Sequence, residues 1–366
     1  MKNNERLYVD VHVLQTVPPS CVNRDDTGSP KTAVYGGVTR ARVSSQSWKR
    51  AIRKMFKEEF QNEQEGIRTQ KLNELLKNEV LSICPDKKNV DEYVRKALDT
   101  AELKIKKNNK GEEELEALFF ISEMQIKALA KIVADAATLE GMTKKELEKA
   151  INDNPSIDIV LFGRMLASNP KLNSEACAQV AHSISTHKVV NEYDYFTAID
   201  DVEDDQGKVH AAYLDSTEFN SSTLYRYATV AVHEMNKKLG GDTVRALQEF
   251  IYAFVRSMPD GKQNPYANRT LPDAVLVAVR RDQSVNLVGA FEDPVPAGEH
   301  GYVEPSAEAM CKYAKEKVYA DFAGEPEASF VTGKVLAKLG EPCSFTELLN
   351  KLGTKIEECI AEDAKI

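Results

Sequence analysis

Arg24, Lys31, Arg40, Arg42, Lys49, Arg50, Arg53 and Lys54 crowd residues 23–54, and within that window only Asp25 and Asp26 oppose them. Residues 23–54 therefore hold a net +6 in a chain of 366 residues whose formal charge is −9. Ser44-Ser45-Gln46-Ser47 sits in the middle of this run. A helix starting there would present unpaired backbone N–H groups and roughly half a positive charge, and the hydroxyls and amide would add further donors. A phosphate docks well against donors that are already held in place. Arg40 and Arg42 share a parity, so in an extended lead-in they would point to one side. Together with Arg24 and Lys31 they make a track long enough for several phosphates. The chemistry is polyanion binding, and it separates neither RNA from DNA nor either from a nucleotide. The ordinary alternative is a solvated basic helix face.

Other constellations carry less. Asp25-Asp26 beside the basic track could hold a metal for phosphodiester cleavage, but a loop-structuring role for an Asx pair is expected first. His182 and His187 lie five apart, which on a strand puts them on opposite faces. A zinc site from them and Cys177 is less expected than packed, hydrogen-bonding histidines. The sequence contains no GxGxxG, GxxxxGK[ST] or GxSxG pattern, so nucleotide-fuelled or serine-hydrolase chemistry has no support, and no cofactor or metal is expected.

The elements that must position these residues can be read from the apolar pattern. Leu7, Val9, Val11 and Val13 alternate and predict a strand that ends at Pro18-Pro19, followed by an irregular loop. Gly36-Gly37 predicts a turn or a close backbone approach within that loop. Trp48, Ile52, Met55 and Phe56 recur at helical spacing and predict a helix from Ser44 to about Phe60, with Ser44 or Ser45 as its N-cap. Residues 63–150 read as a helical insertion. Strands are expected at Ile157–Met165, Cys177–Val190, Thr223–His233, Ala274–Arg280 and Leu287–Phe291, and helices at Asp242–Met258, 306–320 and 344–362. The segment 189–207 has no Lys or Arg, and sets Tyr193, Tyr195 and Phe196 among Glu192, Asp194, Asp200, Asp201, Glu203, Asp204 and Asp205. It predicts a projecting loop or hairpin. The alternation of strands and helices favours an α+β fold.

Composition agrees with a globular protein: 42% hydrophobic and 29% charged residues. No apolar run is long enough to span a bilayer, and the start MKNNERLY lacks an export pattern. Six scattered cysteines without a CxxC pair fit a reducing cytoplasm. The acidic surround argues against indiscriminate capture of nucleic acid and for a local polyanion site.

Several of these stretches resemble the type I-E CRISPR-associated CasC family, the repeated backbone of the Cascade surveillance complex. They are Asn23-Arg24-Asp25-Asp26, Lys31, Tyr35-Gly36-Gly37 and, most specifically, Arg42-Val43-Ser44-Ser45-Gln46-Ser47-Trp48-Lys49-Arg50. Downstream matches are Phe162-Gly163-Arg164-Met165, Ala181 to His187, Asp194 to Ala198, Ser221 to Tyr227, and Gly261-Lys262-Gln263 with Tyr266. The resemblance implies an RRM-like (ferredoxin-like) palm over 1–62, 156–188 and 223–366, a helical fingers insertion over 63–155 and a protruding thumb over 189–222. It implies a non-enzymatic, antiviral ribonucleoprotein subunit. Its partners would be a CRISPR guide RNA, copies of itself, other Cascade subunits and, in the assembled complex, target DNA, with no membrane partner. Arg24, Lys31, Gln46, Lys49 and Arg50 become guide-backbone contacts. Arg40, Arg42, Ser44, Ser45, Ser47, Arg53, Arg164, Lys262 and Gln263 join them as RNA-binding candidates. Met165 and Phe196 become an apolar wedge at a displaced base. The RNP1 pattern of ordinary RRMs is absent, so Tyr225 and Tyr227 are expected to pack the sheet rather than stack bases. A metal-dependent ribonuclease using Asp25 or Asp26, and a general single-stranded RNA binder, stand as alternatives.

Overall fold

The structure, a computed structural model, describes residues 6–60, 65–199 and 211–364. Asp200, Asp201, Glu203, Asp204 and Asp205 of the acidic segment lie outside them. By internal packing the chain divides into two units, one of Met1–Met55, Val180–His233 and Val244–Ile366, the other of Phe56–Gln179 and Glu234–Thr243.

The first unit is built on an antiparallel sheet. From one edge its strands run Thr32–Tyr35 (β2), Val38–Val43 (β3), Ser183–Ser185, Ala211–Ala231, Tyr8–Ser20 (β1), Ala274–Arg280 and Ala328–Thr332. β1 is central and buried on both faces, which is why its polar positions need partners as much as its valines need a core. It continues through Pro18-Pro19 to Ser20, and its register against the long strand Ala211–Ala231 shifts between Val17 and Ser20. On one face Trp48 of helix α1 (Ser45–Glu59) donates its indole N–H to Ser183 Oγ at 2.9 Å, and the Arg226 guanidinium lies 3.7 Å from the Trp48 ring centroid. The other face carries Leu14, Tyr225, Tyr227 and Leu276, packed on Leu287, Phe291, Met310 and Leu336.

That second face also buries a polar network. Tyr227 donates to Asp10 Oδ1 at 2.8 Å, the Val285 amide donates to Asp10 Oδ2 at 2.9 Å, and His12 Nδ1 lies 2.8 Å from the Tyr225 hydroxyl. Tyr225 and Tyr227 thus serve the sheet, as the sequence predicts.

Gly36 and Gly37 meet both halves of their expectation. They turn β2 into β3 with φ of +59° and +75°, and a Cβ on Gly36 would fall 1.7 Å from the Glu292 carbonyl oxygen. Two expected strands are helical instead. Ile157–Phe162 is a one-and-a-half-turn α-helix and Leu287–Phe291 a 3₁₀ helix. Both are short apolar runs, whose burial is readable but whose period is not. Cys177–Val190 contributes two three-residue strands, Ala178–Val180 and Ser183–Ser185. The expected helix at 306–320 is Val303–Lys312 continuing as a π-helix over Tyr313–Ala323.

In the second unit, helices Leu72–Ile83, Val90–Thr100, Glu123–Asp135 and Lys144–Asn152 enclose a core that includes Leu76, Val94, Leu129 and Leu147. Two small antiparallel ribbons, Gly66–Thr69 with Phe119–Ser122 and Ile105–Lys107 with Glu113–Leu115, interrupt the purely helical pattern expected there. Among the described residues no helix is long and apolar enough to cross a membrane.

Candidate nucleic-acid interface

Three segments of the first unit are stitched together around the start of α1. The Asn23 carboxamide accepts from the Ser44 amide at 2.9 Å, and Asn23 O accepts from the Lys31 amide at 2.8 Å. The Arg42 amide in turn donates to Lys31 O at 2.9 Å. The loop is closed by Asp25, whose Oδ1 accepts from the Thr27 amide, the Thr27 hydroxyl and the Ser29 amide at 2.9, 2.7 and 3.0 Å. These bonds, the hydroxyl first, hold its carboxyl below the usual range, so it is a charged turn former. Arg24 is thereby presented on an exposed, internally bonded loop.

Ser44 is the N-cap of α1, buried, with its Oγ accepting from the Ser47 amide at 3.3 Å. No acidic residue occupies the first turn of α1. Ser45 and Ser47 are half-buried, Gln46 and Arg50 exposed, Lys49 and Arg53 half-buried. Arg42 donates from Nε to Thr32 O at 3.1 Å and from Nη1 to His182 Nδ1 at 3.2 Å. His182 must accept there, because a guanidinium only donates. Burial, then the Arg42 and Lys31 cations, push its pKa down, so the imidazole stays neutral and adds no charge of its own.

The turn at Gly261-Lys262-Gln263 closes on the same loop. A Cβ on Gly261 would stand 2.1 Å from the Val22 carbonyl oxygen, so only glycine lets the two backbones meet. Burial raises the Cys21 thiol pKa while the neighbouring Lys262 and Arg24 cations oppose it, which places both charges at one locality. Lys54 pairs with Asp260 at 2.9 Å across an exposed contact. Asn23, His182, Asp260 and Gly261 were not picked out as site residues by sequence. Asn23, His182 and Gly261 nonetheless fall within stretches that carry the family resemblance, and Asp260 does not.

Two candidates are corrected. Arg40 shares its parity with Arg42 but is wholly buried, donating to Tyr35 O, Ser185 O and Phe291 O at 3.2, 3.0 and 2.8 Å. It ties the β2–β3 hairpin to the sheet and to the 3₁₀ segment. Arg164, in the second unit, donates to Leu172 O, Phe120 O, Ile151 O and Asn152 Oδ1 at 2.7 to 3.2 Å and is also buried. Burial lowers its pKa to about 10. Both guanidiniums are buried and turned to internal oxygens, so neither is presented to a phosphate chain at the surface. A buried cation must satisfy its donors internally, and sequence parity says nothing of what covers a strand.

Both wedge candidates are exposed. Met165, in the second unit, is 89% exposed, which removes the core role that its apolar neighbours suggest. Phe196 is 38% exposed on the strand Glu192–Ile199, opposite Asp215 in the ribbon formed with Ala211–Ala231, and its ring centre is 6.3 Å from that of Tyr213. His187, the other histidine considered, stacks on Tyr302 with ring centres 3.6 Å apart and accepts at Nε2 from the Thr223 amide.

The comparisons decide the family. Residues 9–355 match the family described as CT1975-like protein. The chain belongs to this CasC-type family of CRISPR-associated proteins. A solved structure titled "CRISPR RNA-guided surveillance complex, pre-nicking" contains a chain 32% identical, with a TM-score of 0.81, covering 95% of this chain and 99% of that one. A chain of a second, titled "CRISPR RNA-guided surveillance complex", is 27% identical with a TM-score of 0.70 at the same coverage. No curated protein matches. The fold is accordingly a mixed α/β one with a large antiparallel sheet, like those subunits.

Proposed function

We propose that this CasC-type protein binds a CRISPR guide RNA and oligomerises along it as the backbone of a type I-E Cascade complex, presenting the guide for pairing with target DNA. The observation that carries this reading is the acid-free start of α1, with Ser45, Gln46, Ser47, Lys49 and Arg50 beside Arg42, Lys31, Arg24 and the Lys262 turn. Donors carried on a backbone that hydrogen bonds hold in place are suited to a ribose-phosphate chain, which carries the same charge at every step whatever its sequence. Specificity then rests with base pairing, a division of labour used by other RNA-guided effectors. The sheet unit acts as an RRM-like palm, although both its faces are covered, so the RNA lies at the α1 start and not on the sheet. The Glu192–Ile199 ribbon acts as a thumb, with Phe196 and Met165 acting on a displaced base. The protein binds without cutting.

Single-stranded RNA binding measured against salt tests the reading. Six phosphate contacts give a log–log slope of roughly −4, at about −0.7 per phosphate. A slope near zero, or binding that requires a particular sequence, would overturn it.

A further inference from the structure

One carboxylate joins the root of the Glu192–Ile199 ribbon to the loop that carries Arg24. Glu218 stands opposite Tyr193 in that ribbon. It accepts from the Ser29 hydroxyl at Oε1, 2.9 Å away, and from the Asn191 carboxamide at Oε2, 3.0 Å away. Ser29 belongs to the loop that Asp25 closes, its amide donating to Asp25 Oδ1, and Arg24 and Lys31 flank it along the chain. Asn191 is braced in turn by Asn220, whose carboxamide donates to Asn191 Oδ1 at 3.0 Å. A second strap leaves the same root. The Thr217 and Tyr266 hydroxyls lie 3.3 Å apart, and the Phe219 and Tyr266 ring centres 6.2 Å apart, so the root also meets the segment that carries Lys262.

Beyond this root the residues at 192–198 and 213–216 are all exposed. A two-stranded ribbon with no packed face has little stiffness of its own, so among the described residues its direction is set where it leaves the sheet. The chemistry of the link is informative. A carboxylate beside Arg24 and Lys262 opposes a polyanion, and it acts at that very locality. Burial raises the Cys21 thiol pKa, the Lys262 and Arg24 cations lower it, and Glu218 adds to the rise. What a carboxylate offers in exchange is two acceptor oxygens and no donor. It can therefore hold donors from two separate segments at once, with bonds stronger than neutral ones.

We propose that Glu218 is a positioning residue that latches the loop of residues 23–31 to the ribbon root, so that RNA seated on the loop sets the direction in which the ribbon meets the next copy on the same RNA. The proposal rests on the RNA-binding function above and deepens it by naming the side chain through which one site acts on the other.

Glu218→Gln and Glu218→Ala separate the latch from its charge. Both lose the negative charge, so each should bind a short RNA that seats a single subunit about two- to fivefold more tightly than the wild type. Gln keeps both contacts, its carbonyl accepting from Asn191 and its amide donating to the Ser29 hydroxyl oxygen, whereas Ala keeps neither. On RNA long enough for several copies, Glu218→Ala should lose about tenfold in cooperativity between copies, and Glu218→Gln should keep that of the wild type. Hydrogen exchange on the single-subunit complex reads the coupling directly. RNA should slow the amides of 23–31 in the wild type and both variants, but those of 191–193 and 217–220 only in the wild type and Glu218→Gln. Cooperativity and ribbon protection in Glu218→Ala equal to the wild type, with binding intact, overturn the latch alone, as does a Glu218→Gln variant that behaves like Glu218→Ala. If the wild-type chain binds no RNA, the underlying function fails and the latch with it.

Discussion

Among the arginines, sequence position alone could not tell a surface cation from a structural bolt. Arg40 and Arg42 are two residues apart on β3, yet Arg40 has three backbone carbonyls as partners and Arg42 reaches the surface beside His182. The difference lies in what the chain brings over each from far away, Phe291 and Ser185 in one case and a short loop in the other. The two should separate experimentally. Arg40→Ala leaves three buried carbonyls without donors and should cost about 3 kcal/mol or more in urea unfolding. The folded fraction should keep the salt slope of the wild type. Lys49→Ala/Arg50→Ala should leave stability within about 1 kcal/mol and flatten the slope by about 1.4 units. The reverse pattern would show that the burial-based sorting is wrong. The serine–glutamine block was legible because a cap, a helix start and uncompensated charge coincide within a few residues.

At the scale of elements, the strongly periodic ones were readable and the short apolar ones were not. β1 and α1 follow their alternation and their i, i+4 stripe. Ile157–Phe162 and Leu287–Phe291 give no period to read, because every side of them is covered or the run is too short. The polar residues inside β1 were legible only as the other parity of the strand, not as a network. Burial lifts the Asp10 carboxyl from 3.8 to about 6 despite its hydrogen bonds. A raised folded pKa means that the stability it contributes is complete below the unfolded value and is lost as pH rises through 6. Asp10→Asn should therefore gain on the wild type between pH 4 and 7, approaching about 3 kcal/mol at neutral pH. His12, held neutral by burial with its pKa down at about 3, loses stability as pH falls below 6.5. It does so in both proteins and drops out of the difference. Thermal melts of the pair across pH check this, and a difference independent of pH would refute it. The Gly261 turn makes a second prediction at this scale. Gly261→Ala must push the Lys262 turn off Val22 O, and should weaken RNA binding severalfold in a protein that still unfolds cooperatively. Unchanged affinity would remove this turn from the interface.

For the whole molecule, the contrast between a net −9 and a +6 patch is the feature the sequence displays most openly. Under the proposed function it would favour the basic track for RNA, with the acidic remainder opposing indiscriminate capture. The family also was legible, since its motifs are the residues that build the α1 start. Less legible was the division into two units, because the second recruits Glu234–Thr243 from far along the chain. The central claim is that copies of this chain line up on one RNA, and native mass spectrometry tests it most directly. The purified protein would be mixed, with magnesium present, with single-stranded RNAs of stepwise increasing length. The account predicts that the number of bound subunits climbs in steps with length while the RNA stays whole. One bound subunit at every length, or cleaved RNA, would contradict it.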